Sequence, residues 1–203
     1  MLNAKIRGIW DRGMKPVGGF VGRSGITPNQ ITMLGVVVQG VASYLIVVDR
    51  LVGAGFVLLA AALLDTVDGA VAKARGLTTK FGAFLDSTMD RLSDALVFLP
   101  IAWLYLAEPT PERADQQWVA ALALVTLVLS LLVSYAKARA EGLGFDCNVG
   151  LIERAERLII MIVALVFNAL LPSALVVLAL ASLVTLIQRI VHVHKQASAT
   201  DHH

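Results

Sequence analysis

The chain has 203 residues, 57% hydrophobic and 16% charged, with a formal net charge of +2. That composition is too apolar for an ordinary soluble domain of this length, and the small net charge informs only through its distribution. Its single cysteine, Cys147, excludes an internal disulfide and reads as a free structural thiol.

The opening residues Met1-Leu-Asn-Ala-Lys-Ile-Arg lack a signal-peptide pattern. Residues 3–23 then interleave Lys5, Arg7, Arg12, Lys15 and Arg23 with Ile6, Ile9, Trp10, Met14, Val17, Phe20 and Val21. This spacing suits an amphipathic helix over 1–24 lying in the headgroup region. Gly13, Pro16, Gly18 and Gly19 leave a disordered basic leader as the alternative.

Thr27 as N-cap and Pro28 in the first turn open a first apolar span running to about Val48. The second starts at Leu51, but its apolar part ends at Leu64, just before Asp65. At 1.5 Å per residue that covers about 21 Å of a hydrocarbon layer roughly 30 Å thick. The third begins with Asp86, Asp90 and Asp94 and becomes apolar over Ala95–Ala107. A fourth runs from about Trp118 to Tyr135, a fifth over Leu158–Leu171 behind the charged Glu153–Arg157, and a sixth from about Ser173 to His192. The expected fold is an all-α integral membrane protein, with six transmembrane helices over 25–195 and a short tail over 196–203. Three spans turn polar at one end, which implies a wet cavity roughly 10 Å deep in one leaflet.

The polar ends converge on one stretch: Asp65-x-x-Asp68-Gly69-x-x-Ala72-Lys73, eight residues, then Gly82-x-x-x-Asp86-x-x-x-Asp90. On helices, Asp65 and Asp68 share one face, and so do Asp86 and Asp90. Gly76 can end the first helix and Thr78 or Thr79 can cap the second, giving a tight hairpin that brings the acids together. Four like charges so placed must hold protons or bind cations. Hard oxygen donors without nearby His or Cys point to Mg²⁺ or Mn²⁺, with room for two ions.

This pattern resembles the signature of the CDP-alcohol phosphotransferases, departing from it only in Lys73, where the family has Arg. Lys offers one compact charge in place of a two-pronged grip on phosphate, so nucleotide contact there is expected to differ. Arg75, two residues on, points roughly 200° away around the helix. The resemblance implies transfer from CDP-diacylglycerol to an alcohol with release of CMP. It implies metal ligation by Asp65, Asp68, Asp86 and Asp90, with Asp90 also the base. Asn29, Gln30, Ile31 and Thr32 match a family segment bordering the nucleotide; Gly69, Lys73 and Thr79 join them as nucleotide or lipid contacts. For Gln30 a plain helix-start role weighs equally, as helix packing does for Gly82.

Lys137 and Arg139 end the fourth span, Arg154 and Arg157 open the fifth, and Arg189 closes the sixth. If both termini are cytoplasmic, all of the 17 Lys and Arg residues except Arg50 and Arg113 fall on that side. Positive-inside bias explains any one of these five; as a set they form a basic wall suited to a phosphorylated acceptor. Tyr135-Ala-Lys-Ala-Arg-Ala-Glu141 and Leu151-Ile-Glu-Arg-Ala-Glu-Arg-Leu158 resemble the phosphatidylinositol-phosphate synthases of actinobacteria. That likeness implies inositol 1-phosphate as acceptor, a bacterial plasma-membrane location with a cytoplasmic site, a homodimer, and no nucleic-acid partner. Two alternatives remain: glycerol 3-phosphate as acceptor, and a cation transporter whose acids form the ion path, although transport sites tend to sit nearer the midplane.

Overall fold

A computed structural model describes residues 27–75, 79–107 and 115–200. The expected interfacial segment 1–24, and Gly76 and Thr78 of the hairpin turn, lie outside these residues. The described residues form six α-helices and no strand: α1 (Pro28–Val47), α2 (Leu51–Arg75), α3 (Lys80–Ala107), α4 (Gln117–Gly142), α5 (Arg154–Val166) and α6 (Leu171–Thr200).

The start of α1 follows from its sequence. Thr27 Oγ1 accepts from the Gln30 backbone N–H at 3.4 Å, and Gln30 Oε1 accepts from Thr27 N–H at 2.9 Å. With Pro28 in the first turn, this capping box satisfies donors that a helix start leaves open. At the other end Asp49 takes a positive φ of 57° in the turn to α2. Thr79 plays the capping role for α3, its Oγ1 accepting from Gly82 N–H at 2.9 Å.

Both α2 and α3 pack on α1, α3 also on α4, α4 on α6, and α2 on α5. Among the described residues α2 and α3 do not pack closely on one another; both rest on α1, and the turn of the expected hairpin lies outside those residues. The shared core includes Ile46, Leu58, Ile101, Leu104, Met161, Leu165 and Leu178. Outside it, large apolar side chains face outward, among them Val37, Val128, Leu180 and Ile190, each more than half exposed. Facing water that surface would be a liability; facing lipid it is ordinary.

Three helical segments, Pro28–Val47, Gln117–Gly142 and Asn168–Ala199, are long and apolar enough to cross a membrane. In α2 only Leu51–Val67 is apolar. The fifth span departs from its expected limits: α5 stops at Val166, and a 3₁₀ turn over Asn168–Leu170 separates it from α6. Apolar composition alone did not mark that break. The sixth helix also runs past His192 to Thr200, and there Gln196 ties it to the segment between α4 and α5. Gln196 Nε2 donates to the Asp146 carbonyl at 2.6 Å, and its Oε1 accepts from Asp146 N–H at 3.1 Å.

Between helices in lipid, close packing replaces the hydrophobic effect as the driving force. Gly55 is the tightest such contact between α2 and α5: an added Cβ would lie 2.8 Å from Val166 Cγ2 and 3.3 Å from the Ile162 carbonyl oxygen. Gly55→Leu is expected to destabilise the protein by about 1–3 kcal/mol through overpacking. Gly40→Ala, where an added Cβ meets nothing within 4 Å, should be neutral or slightly stabilising. Thermal unfolding in detergent reads both; equal melting temperatures for the two variants would refute the contact.

Candidate metal centre and active site

Asp65 projects from α2, and Asp86 and Asp90 from successive turns of α3. One carboxylate oxygen from each lies within 4.8 Å of the others. The i,i+4 spacing puts both α3 acids on one face, and packing of α2 and α3 on α1 turns that face toward Asp65. Asp68 lies one turn beyond Asp65 on α2; its side chain, like those of Lys73 and Arg75, lies outside the described residues.

The cluster carries its own cation. Arg154, first residue of α5, places Nη1 2.8 Å from Asp65 Oδ2 and 2.8 Å from Asp90 Oδ1. Arg91 adds a weaker contact, 3.5 Å from Asp90 Oδ2. One turn along, Arg157 Nη2 reaches Asp94 Oδ2 at 3.1 Å, with side chains only 4% and 14% exposed. Its Nε is buried with no hydrogen-bond partner among the described residues.

The expected basic wall is therefore not one surface. Arg154 has moved into the acidic centre, where opposite charges attract strongly in surroundings of low polarity. Arg157 is committed to Asp94. Arg189 is buried and binds backbone: Nη1 donates to the Val133 carbonyl at 2.5 Å and Nε to that of Val149 at 3.0 Å. Lys137 Nζ donates to Asn148 Oδ1 at 3.1 Å and pairs with Glu141 at 3.8 Å, while Arg139 is exposed.

On the other side, the start of α1 meets the start of α3. A Cβ on Gly82 would lie 3.1 Å from Thr79 Oγ1 and 3.5 Å from Asn29 Oδ1, so the missing side chain keeps this corner open. Gly69 is open too, with nothing within 4 Å of an added Cβ. Gln30 is engaged in the α1 cap. Ile31 is buried in the helix packing. Thr32 Oγ1 donates to the Pro28 carbonyl at 3.2 Å. Thr32 also lines a narrow crevice with Gln39, Asp65, Ser93 and Arg154.

Sequence reasoning missed several polar partners. Gln39, buried in α1, donates through Nε2 to the Ser93 carbonyl at 2.6 Å; a lone amide inside an apolar span was the available signal. Thr185 Oγ1 accepts from the Leu151 and Ile152 backbone N–H groups, both at 3.2 Å, and pins the loop before α5. Nothing in the local sequence marks Thr185. Cys147 is free and fully buried, as its structural reading requires.

With this geometry in place, comparison with known proteins is specific. The profile of the CDP-alcohol phosphatidyltransferases matches residues 25–195. A phosphatidylinositol phosphate synthase of Corynebacterium glutamicum is 38% identical over 93% of this chain and 87% of its own. An archaetidylinositol phosphate synthase of Pyrococcus horikoshii is also 38% identical, over 95% of this chain and 97% of its own. Among solved structures, Mycobacterium tuberculosis phosphatidylinositol phosphate synthase with CDP-DAG bound matches with a TM-score of 0.80 and 34% identity, covering 90% of this chain and 94% of that one. Its complex with manganese and citrate gives 0.79 and 35%, covering 89% and 88%.

The Asp94–Arg157 pair makes a prediction independent of chemistry. Asp94→Asn leaves a guanidinium buried without its counter-charge and should cost about 3–5 kcal/mol. Replacing both residues by apolar ones (Asp94→Leu with Arg157→Met) should recover most of that loss. Unfolding measurements around this double-mutant cycle would show additive losses if the pair were not coupled.

Proposed function

The chain belongs to the CDP-alcohol phosphatidyltransferases, and from that premise we propose that it moves a phosphatidyl group from CDP-diacylglycerol to inositol 1-phosphate, giving phosphatidylinositol phosphate and CMP. The observation that carries this reading is the meeting of Asp65, Asp86 and Asp90 oxygens within 4.8 Å. The acceptor is drawn from relatives named phosphatidylinositol phosphate synthase at 37% and 38% identity. As a member of this family the protein is an enzyme, and a cation-transporter reading is set aside.

The cluster fits a divalent metal: its donors are hard carboxylate oxygens, close enough to share an ion after small side-chain rotations. Asp65, Asp86 and Asp90 would hold it, with Asp68 completing the set from α2. When bound, Mg²⁺ or Mn²⁺, as one ion or two, neutralises negative charge on the pyrophosphate. Asp90 takes the proton as the acceptor hydroxyl oxygen attacks the lipid-linked phosphorus. The new phosphorus–oxygen bond forms in line as the bond to CMP breaks, and the electron pair leaves with CMP. Asn29 and Thr79 border the nucleotide at the open corner, Gly69 borders it from α2, and Lys73 supplies positive charge beside its phosphates. Gln30, Ile31 and Thr32 build the helix start that holds Asn29. Arg154, Lys137 and Arg139 are the side chains left to meet the acceptor phosphate, with Arg157 and Arg189 shaping the pocket from behind.

The finer topology belongs to the same proposal. Six spans over 25–195, a cytoplasmic site in a bacterial plasma membrane and an interfacial helix over 1–24 are supported by the Lys and Arg distribution and the apolar runs. A homodimer is proposed on the family likeness alone. Similarity to archaetidylinositol phosphate synthases at 38% identity supports a second reading, in which the lipid donor carries archaeol chains.

Purified protein supplied with Mg²⁺ and CDP-diacylglycerol should release CMP with inositol 1-phosphate and not with glycerol 3-phosphate. Chelation should abolish release, and Asp90→Asn should lower it by about 10²–10⁴-fold. Equal or better use of glycerol 3-phosphate would overturn the acceptor; faster release from CDP-archaeol would favour the second lipid.

A further inference from the structure

Arg154 and Arg157 lie one turn apart on α5, both facing acids of α3, yet their settings differ in a way that assigns them different work. Arg157 is 4% exposed and paired with Asp94, whose side chain is 14% exposed, so it is fixed. Arg154 is 24% exposed and stands at the first position of its helix. Its long side chain can leave the cluster without moving α5, while the Asp94–Arg157 pair keeps that helix in register.

The place Arg154 occupies is also informative. A single nitrogen, Nη1, is 2.8 Å from oxygens of two acids on two different helices. A divalent ion shared by Asp65 and Asp90 would sit about 2.0–2.6 Å from each oxygen, between the same two carboxylates. The guanidinium and that ion are like charges seeking the same lone pairs and nearly the same space. They exclude one another. The cluster therefore has a counter-ion that must be displaced when metal binds, and the crevice beside it, lined by Thr32, Gln39 and Ser93, already includes Arg154.

We propose that Arg154 is an exchangeable internal counter-ion: it holds Asp65 and Asp90 together until a divalent cation takes their oxygens, and the displaced guanidinium then turns to an anionic ligand at the same site. Resting on the proposed reaction, that ligand is the acceptor phosphate. Metal loading then precedes acceptor binding, and by reciprocity each strengthens the other. A fixed acceptor arginine would show no such coupling.

The test needs no substrate. Mn²⁺ binding to the full chain in nanodiscs, read from the electron paramagnetic resonance signal of the free ion, should be at least about tenfold tighter in Arg154→Gln than in wild type. Arg91→Gln removes the same formal charge from a residue 3.5 Å from Asp90 alone, and should change the affinity by less than about twofold. Unchanged or weaker binding in Arg154→Gln, or equal tightening in both variants, overturns the exchange. A second readout uses the wild-type chain, where Mn²⁺ should speed phenylglyoxal modification of Arg154, followed by peptide mass spectrometry. Protection of Arg154 by Mn²⁺, or no change, also overturns it. Failure of the inositol phosphate assay would leave these results standing, so the two readings fail separately.

Discussion

The constraint on which the rest depends is charge balance among acids held in apolar surroundings. Asp65, Asp86 and Asp90 come from two helices that, among the described residues, scarcely touch one another. Without a cation between them their repulsion would drive the helices apart or force the acids to hold protons. The arginines of α5 meet that need as two rungs, Arg154 to Asp90 and Arg157 to Asp94. Spacing makes the match: residues four apart on α3 face residues three apart on α5, each close to one helical turn. A shift of α5 by one residue would swing both guanidinium groups some 100° off the acids.

What holds α5 in that position lies outside the charged centre. The segment between α4 and α5 has almost no regular structure, and α6 fixes it at three heights. Thr185 takes two backbone N–H groups, Arg189 bridges the carbonyls of Val133 and Val149, and Gln196 binds Asp146 in both directions. Gly150 passes so close to α6 that an added Cβ would meet Thr185 Cγ2 at 2.7 Å. Arg189, expected at the acceptor phosphate, also anchors a loop. A loop carbonyl such as that of Val149, left without a partner away from water, is costly enough to claim a buried guanidinium.

The legible features were those set by period and by local chemistry. Two acids at i,i+4 must share a face wherever the helix lies, and Thr27-Pro28 with Gln30 builds a cap from neighbouring residues alone. The apolar runs marked where helices form. Contacts that depend on the rotation of one helix against another were out of reach. Arg154 joining the acids, Arg157 spent on Asp94, Gln39 reaching Ser93 and the break of α5 at Val166 all belong to that class. Convergence of the acids was legible as well, because side chains on facing turns can meet across a gap that the described parts of α2 and α3 do not close.

That gap has a chemical consequence. Were α2 and α3 in close contact, the carboxylates would be walled in by helix backbone, leaving no room for a pyrophosphate beside them. Resting on α1 keeps the acids within reach of one another while the corner at Asn29, Thr79 and Gly82 stays free of side-chain bulk. The same end of the bundle gathers the start of α1, the start of α3 and the start of α5, so the polar groups of the candidate site accumulate there. The short apolar stretch of α2 and the thirteen-residue α5 reinforce this asymmetry, since neither carries enough apolar length to extend the greasy zone past the acids. A reaction joining a water-soluble phosphate to a lipid needs that division: a hydrated charged pocket at one end of helices whose flanks are already solvated by hydrocarbon.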